Sequence, residues 1–192
     1  MRLVTLPERV PRRKSAFWPS IGRAILGFLG WNIEGEVPNL SKFVVAVAPH
    51  TSNWDFFIGA AVMFALDLRI TFLGKHSIFV WPFSVVLRWM GGIPVDRANP
   101  HGVVGESIRS FSECDSRVLA IAPEGTRKPV AHFKEGFLYI ARGAGVPVVL
   151  VALDYGNRCV RFGPTIEPGA DLQAERERIE AYFATIKGKR PR

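Results

Sequence analysis

Phe43 to Ala48 is an apolar run without a charge, and Pro49 ends it. A short run rich in β-branched and aromatic residues, stopped by proline, reads as a strand buried on both faces. A second apolar stretch, Phe56 to Leu68, is rich in Ala, Met and Leu and long enough for a helix. A buried strand that passes through a short loop into a helix belongs to folds in which the two alternate. The rest of the chain repeats the alternation. Strands are expected over Arg69–Leu73, within Gly91–Arg97, over Arg117–Ala122 and over Val146–Leu153, with Cys159–Phe162 pairing as a hairpin with the last of these. Helices are expected over Pro100–Cys114, Phe133–Gly145 and Leu172–Ile186, while Glu34–Asn39 reads as a polar turn. Ser77–Met90 is apolar almost throughout, as a buried helix or as part of a lipid-facing surface. A length of 192 residues suits one domain with a sizeable core. The expected fold is therefore α/β: a single domain, with a largely parallel or mixed sheet flanked by helices.

Hydrophobic residues at 48% and aromatics at 11% exclude a disordered chain. A net charge of +8 requires an anionic partner: nucleic acid, an anionic membrane or an acidic or phosphorylated substrate. Cys114 and Cys159 have no metal-ligand spacing and read as reduced structural thiols. At the N-terminus, Arg2, Arg9, Arg12, Arg13 and Lys14 precede the aromatic segment Ala16–Trp31. Pro19 and Arg23 interrupt that segment, which argues against a signal peptide and against a membrane-crossing helix. Tryptophan and phenylalanine beside arginine are the composition of a helix lying in the lipid headgroup region. Packing of this helix on the domain is the other reading, and the two are compatible. The chain then divides into a basic, amphipathic membrane-interface segment, 1–33, and a main domain, 34–192. The tail, Lys187–Arg192, is basic and expected to fray.

His50 and Asp55 lie in the loop between the first strand and its helix, where open α/β sheets place their sites. Residues five apart on a helix point about 140° away from each other at roughly 3.6 residues per turn. The two can meet only if His50 is in the loop and Asp55 in the first turn. Ser52 is a suitable N-cap, and Ser52-x-x-Asp55 resembles a capping box. Asp55 would then hold one imidazole nitrogen and leave the other as a base. Two more loops end strands on the same edge: Gly92–Arg97 and Pro123–Arg127. That edge would then also carry Lys75, Arg97 and Arg127, cations suited to holding a phosphate, and Glu124, which would steady those arginines or accept a substrate hydroxyl. A His–Asp pair with no Ser or Cys nucleophile beside it suits activation of a substrate's own hydroxyl.

His50-x-Ser52-x-x-Asp55, Gly92-Ile-Pro-Val-Asp-Arg97, Pro123-Glu-Gly-Thr-Arg127 and Val146-Pro-Val-Val149 resemble the four ordered blocks of the glycerolipid acyltransferases, the lysophosphatidic acid acyltransferase family. The resemblance runs from about residue 42 to residue 155. It implies transfer of an acyl group from acyl-CoA or acyl carrier protein, as co-substrate, to the free hydroxyl of a lysophospholipid, with no metal or redox cofactor. By carry-over His50 is the general base and Asp55 orients it. Arg97, Glu124, Gly125, Thr126 and Arg127 line the phosphate and glycerol site; Lys75 is added on charge and position. The most direct acceptor is 1-acyl-glycerol-3-phosphate, giving phosphatidic acid. Pro49, Ala122 and Lys128 depart from residues common in the family, which leaves acceptors such as lyso-ornithine lipid open. The expected location is peripheral, on an anionic membrane at the cytoplasmic face of the inner membrane. Two other classes compete. A non-catalytic binder of anionic headgroups would not need the base, and a nucleic-acid module is disfavoured because the cations are scattered or terminal.

Overall fold

In the strand β2 (Lys42–Ala48), Val44, Ala46 and Ala48 face one side and Phe43 and Val45 the other, and all five are buried. This two-sided burial places β2 at the middle of a seven-stranded sheet in a computed structural model that describes residues 4–96 and 100–190. The other strands are β1 (Asn32–Gly35), β3 (Thr71–Lys75), β4 (Gly92–Val95), β5 (Arg117–Ile121), β6 (Val148–Asp154) and β7 (Cys159–Ile166), in the order β1-β7-β6-β2-β5-β3-β4. Neighbours from β6 across to β4 pair in parallel; β7 runs antiparallel to β6 as the expected hairpin, and β1 pairs in parallel with β7. The parallel strands therefore end on one edge.

Helices α1 (Trp18–Leu29), α2 (Trp54–Ala65) and α3 (Phe83–Met90) cover one face, and α4 (Pro100–Ser112), α5 (Gly136–Ala144) and α6 (Leu172–Ala184) the other. Phe137, Ile140 and Ala141 form the buried side of α5, as the periodicity predicts, and Gly145 caps it with a left-handed φ of 63°. Helix α1 packs on α2 where Gly22 meets the backbone of Ala61 and Ala65 so closely that a Cβ there would collide. Leu26 is fully buried on that side, whereas Phe28 is 91% exposed on the other. The N-terminal helix thus shares the domain's core and still presents an apolar outer face.

Two local expectations change. Residues 34–39 begin not as a turn but with the end of β1, whose Ile33 is 1% exposed beside Val160. A strand this short, with one apolar side chain, carries no alternation to detect. In Ser77–Met90 only the last part is α-helix, after a 3₁₀ turn at His76–Ile78. Trp81, Phe83, Val85, Val86 and Trp89 are exposed, so the segment is surface rather than core. Among the described residues no helix is long and apolar enough to cross a membrane.

Candidate active site

Strand β2 delivers His50 to the sheet edge, and the next helix begins four residues later with Asp55 in its first turn. His50 Nδ1 lies 3.1 Å from Asp55 Oδ2. The same oxygen accepts the backbone N–H groups of Thr51 and Ser52, each at 2.7 Å, and Oδ1 accepts the Tyr155 hydroxyl at 2.6 Å. Helix α2 starts from Asn53 without a side-chain cap, so the expected Ser52 cap is corrected. Ser52 Oγ turns to the N–H of Trp54 at 3.3 Å, and only the reverse half of the box forms, with the acid reaching back to the loop. Burial of Asp55 favours its neutral form. The hydrogen bonds from His50, Tyr155 and the Ser52 backbone outweigh burial and hold the carboxyl below its usual range. An ionised Asp55 accepts only, so the proton of a neutral His50 sits on Nδ1 and Nε2 is left basic.

Tyr155, one residue beyond β6, was not singled out from sequence; its partner is 100 positions away. Burial and the adjacent Asp55 carboxylate push its phenol well above the usual range, so it stays a donor. Tyr155→Phe keeps the ring against Trp31, 4.9 Å between centroids, and removes only the hydroxyl. The expected result is a drop of about tenfold in kcat with little change in KM, since a hydrogen bond to a charged group contributes about 1.5–3 kcal/mol. Steady-state kinetics at saturating donor would check it.

The neighbouring strand β5 delivers the second loop. Glu124, 3% exposed, accepts the backbone N–H of His50 at 2.6 Å and so ties the two loops together. Gly125 has φ +65°, and the Lys134 side chain lies over it, 3.1 Å from where a Cβ would stand. Thr126 Oγ1 accepts the N–H of Lys128 at 3.3 Å and fixes the turn, and Arg127 is exposed and lines a cavity with Thr51, Ser52 and Asn53. Lys75 closes β3, two strands and about 10 Å from β2 on the same edge. It lines neither of the two cavities that meet at Trp54. Arg97 lies outside the described residues. Among the described residues no three His, Cys, Asp or Glu side chains cluster as metal ligands.

Two cavities flank Trp54. One, of about 340 Å³, is bounded by Thr51, Ser52, Asn53, Arg127 and Arg190. The other, of about 500 Å³, runs along α1 and α2, with Phe28, Leu29, Trp31 and Ile58 as apolar wall and Arg158 and Lys189 as cations. Two of these cations come from the C-terminal tail, whose described residues, 187–190, are docked rather than frayed as expected. The Tyr155 N–H donates to Lys187 O at 2.9 Å, and the Arg190 N–H to Thr51 Oγ1 at 3.2 Å.

Residues 31–154 match the family described as Acyltransferase. The 1-acyl-sn-glycerol-3-phosphate acyltransferase of Haemophilus influenzae is 29% identical over 132 residues, which are 64% of this chain and 53% of that protein. The protein of the same name from Escherichia coli is 26% identical over 155 residues, 76% of this chain and 61% of that one. The chain thus spans little more than half the length of these curated relatives. The crystal structure of the 1-acyl-sn-glycerophosphate acyltransferase from Thermotoga maritima superposes with a TM-score of 0.61 over 86% of this chain and 74% of that chain. At 21% identity that likeness establishes a shared fold. The family match begins at the N-terminal edge of the sheet and ends with β6, enclosing both loops that meet at His50, and the chain belongs to the Acyltransferase family.

Proposed function

We propose that this protein transfers a fatty acyl group from the thioester of CoA or acyl carrier protein to the free hydroxyl of 1-acyl-glycerol-3-phosphate, giving phosphatidic acid. The observation that carries the reading is the His50–Asp55 pair, 3.1 Å apart, in a loop whose next residues, Thr51 to Asn53, line a cavity together with Arg127 and Arg190. In this mechanism Nε2 takes the proton of the acceptor hydroxyl as its oxygen attacks the thioester carbonyl. The C–S bond then breaks, and the leaving thiolate recovers the proton from the imidazolium. Asp55, kept ionised, stabilises that imidazolium while it exists. Arg127 pairs with the acceptor phosphate, and the apolar cavity along Phe28, Leu29 and Ile58 takes hydrocarbon.

The test is transfer from oleoyl-CoA to lysophosphatidic acid in detergent, following free CoA and phosphatidic acid together. Both products are expected. CoA release without phosphatidic acid would move the proposal to another acceptor, such as a lyso-ornithine lipid. Neither product with either donor would leave a lipid binder without chemistry.

The same reading places the protein on an anionic membrane surface, at the cytoplasmic face of the inner membrane. Phe17 and Phe28 at α1, Trp54 and Phe57 of α2, and Trp81, Phe83 and Trp89 at α3 are all exposed, and so are Arg23 of α1 and Arg88 of α3. The ring of Trp18 lies 5.1 Å from Trp89 and links α1 to α3, while Phe28 and Trp54 line one cavity and Trp54 lies 5.8 Å from Phe57. An apolar face of this size on a monomer marks an interaction surface, and aromatic rings beside arginine suit headgroups. Replacing Trp81 and Phe83 together by alanine is expected to lower binding to phosphatidylglycerol vesicles about tenfold, at the scale of partly burying two large side chains. Vesicle sedimentation checks it, with circular dichroism expected to be unchanged because both side chains are exposed.

A further inference from the structure

Each of the four residues of the segment Lys187–Arg190 contacts a residue around the His50–Asp55 pair. Lys187 O accepts from the Tyr155 N–H at 2.9 Å. Gly188 lies against Thr51 and Pro49, so close that a Cβ would stand 3.0 Å and 3.2 Å from their side chains. Lys189 Nζ sits 4.6 Å from the ring of Trp54, and the Arg190 N–H donates to Thr51 Oγ1 at 3.2 Å. A side chain at 188 would push the Thr51 and Pro49 side chains back by a few tenths of an ångström. The docking turns a terminal basic run into part of the wall of the cavity of about 340 Å³, where Arg190 joins Arg127 beside Thr51 and Ser52. Neither guanidinium has an acidic partner among the described residues.

We infer that Arg190 is a second ligand for the phosphate of the acceptor, acting with Arg127 from the opposite end of the sequence. The inference rests on the acyl transfer proposed above. Two unpaired guanidiniums in one small cavity match a dianionic phosphate, which accepts several charge-assisted hydrogen bonds. The phosphate is the acceptor's rather than that of CoA for a reason of reach. In a 1-acyl-glycerol-3-phosphate only two carbons separate the attacked hydroxyl from the phosphoester oxygen, so its phosphate stays beside the base. The phosphates of CoA lie beyond the whole pantetheine arm, far from the thioester. The cavity shares Thr51 and Ser52 with the loop that carries His50, which is where the nearer phosphate must be.

The experiment is calorimetric binding of water-soluble hexanoyl lysophosphatidic acid to the full chain with no acyl donor present, alongside its neutral analogue hexanoylglycerol. Arg190→Ala is expected to weaken the phosphate ligand about tenfold and leave the neutral one unchanged, and Arg190→Lys to recover part of the loss. In turnover assays the KM for lysophosphatidic acid should rise by a similar factor, while that for oleoyl-CoA holds. Unchanged binding, or equal loss for both ligands, overturns the inference. A rise in KM for oleoyl-CoA alone also overturns it, by giving Arg190 to the donor. Because binding is read without donor, a wild type that binds the phosphate ligand through Arg190 but yields no phosphatidic acid would reject the transfer reaction and keep the phosphate site. The Arg190 side chain is exposed, so its removal leaves the melting temperature as a control of folding.

Discussion

His50→Ala is expected to lower phosphatidic acid formation by about 10²–10⁴-fold, the contribution of a positioned general base, without unfolding the protein. Its imidazole sits at the junction of the two strand-end loops with a buried carboxylate already behind it, placed to receive the acceptor's proton. Its removal touches little else. The backbone N–H of residue 50 keeps its bond to Glu124, and the Asp55 carboxylate keeps the Thr51, Ser52 and Tyr155 donors. One hydrogen bond to the charged Asp55 is lost, at about 1.5–3 kcal/mol. For a domain of this size that is about 3–12 °C in melting temperature. Single-turnover transfer from oleoyl-CoA, with a thermal melt on the same sample, reads both quantities. Turnover within tenfold of wild type would place the base elsewhere. A collapse of the melt would make the histidine a structural residue.

What was legible in the sequence is what burial writes into it. Strands β2, β5 and β6 are covered on both faces, so each is an uninterrupted apolar run, and the loops that follow them had to converge on one edge. That placed His50, Asp55 and Glu124 together before any coordinates. The features that escaped are held by groups that every residue carries or by partners distant in the chain. Strand β1 docks through its backbone with one apolar side chain. The tail docks through Lys187 O and the Arg190 N–H, which leave no trace in hydropathy, and a run of basic residues after a helix otherwise predicts fraying. Tyr155 is a single aromatic residue past a strand end. Its role follows only from β6 lying beside β2, a pairing that the sequence does not specify. Ser52 shows the opposite failure, a correct local motif with the roles of its halves unequal: the acid's half forms and the hydroxyl's does not.

Asp55 is where stability and chemistry are joined, and its two replacements should separate them. Asp55→Ala strands the N–H groups of Thr51 and Ser52 and the Tyr155 hydroxyl in a site only 3% exposed. A buried donor left unpaired costs about 1–3 kcal/mol, so a loss of at least about 3 kcal/mol is expected. At 2–4 °C per kcal/mol that is about 6–12 °C in melting temperature. Asp55→Asn keeps an oxygen for the loop N–H groups, and the tyrosine hydroxyl can turn to accept from the new amide. Its melt should fall less, yet transfer should drop by about 10²-fold or more, because a neutral amide no longer stabilises the imidazolium formed at His50. Acid distinguishes the variants again. The folded chain holds the Asp55 carboxyl below its usual range, whereas the unfolded chain returns it to about 3.9, so on acidification the unfolded state takes up this proton first. The stabilisation is therefore complete above the unfolded value and is lost as pH falls through the lower, folded one. Urea unfolding of wild type and Asp55→Asn should show a gap in stability at about pH 6 that narrows on approaching about pH 3. A gap constant across that range would mean that Asp55 titrates in the fold as it does in water, and the hydrogen bonds converging on it would then not be what keeps it charged for His50.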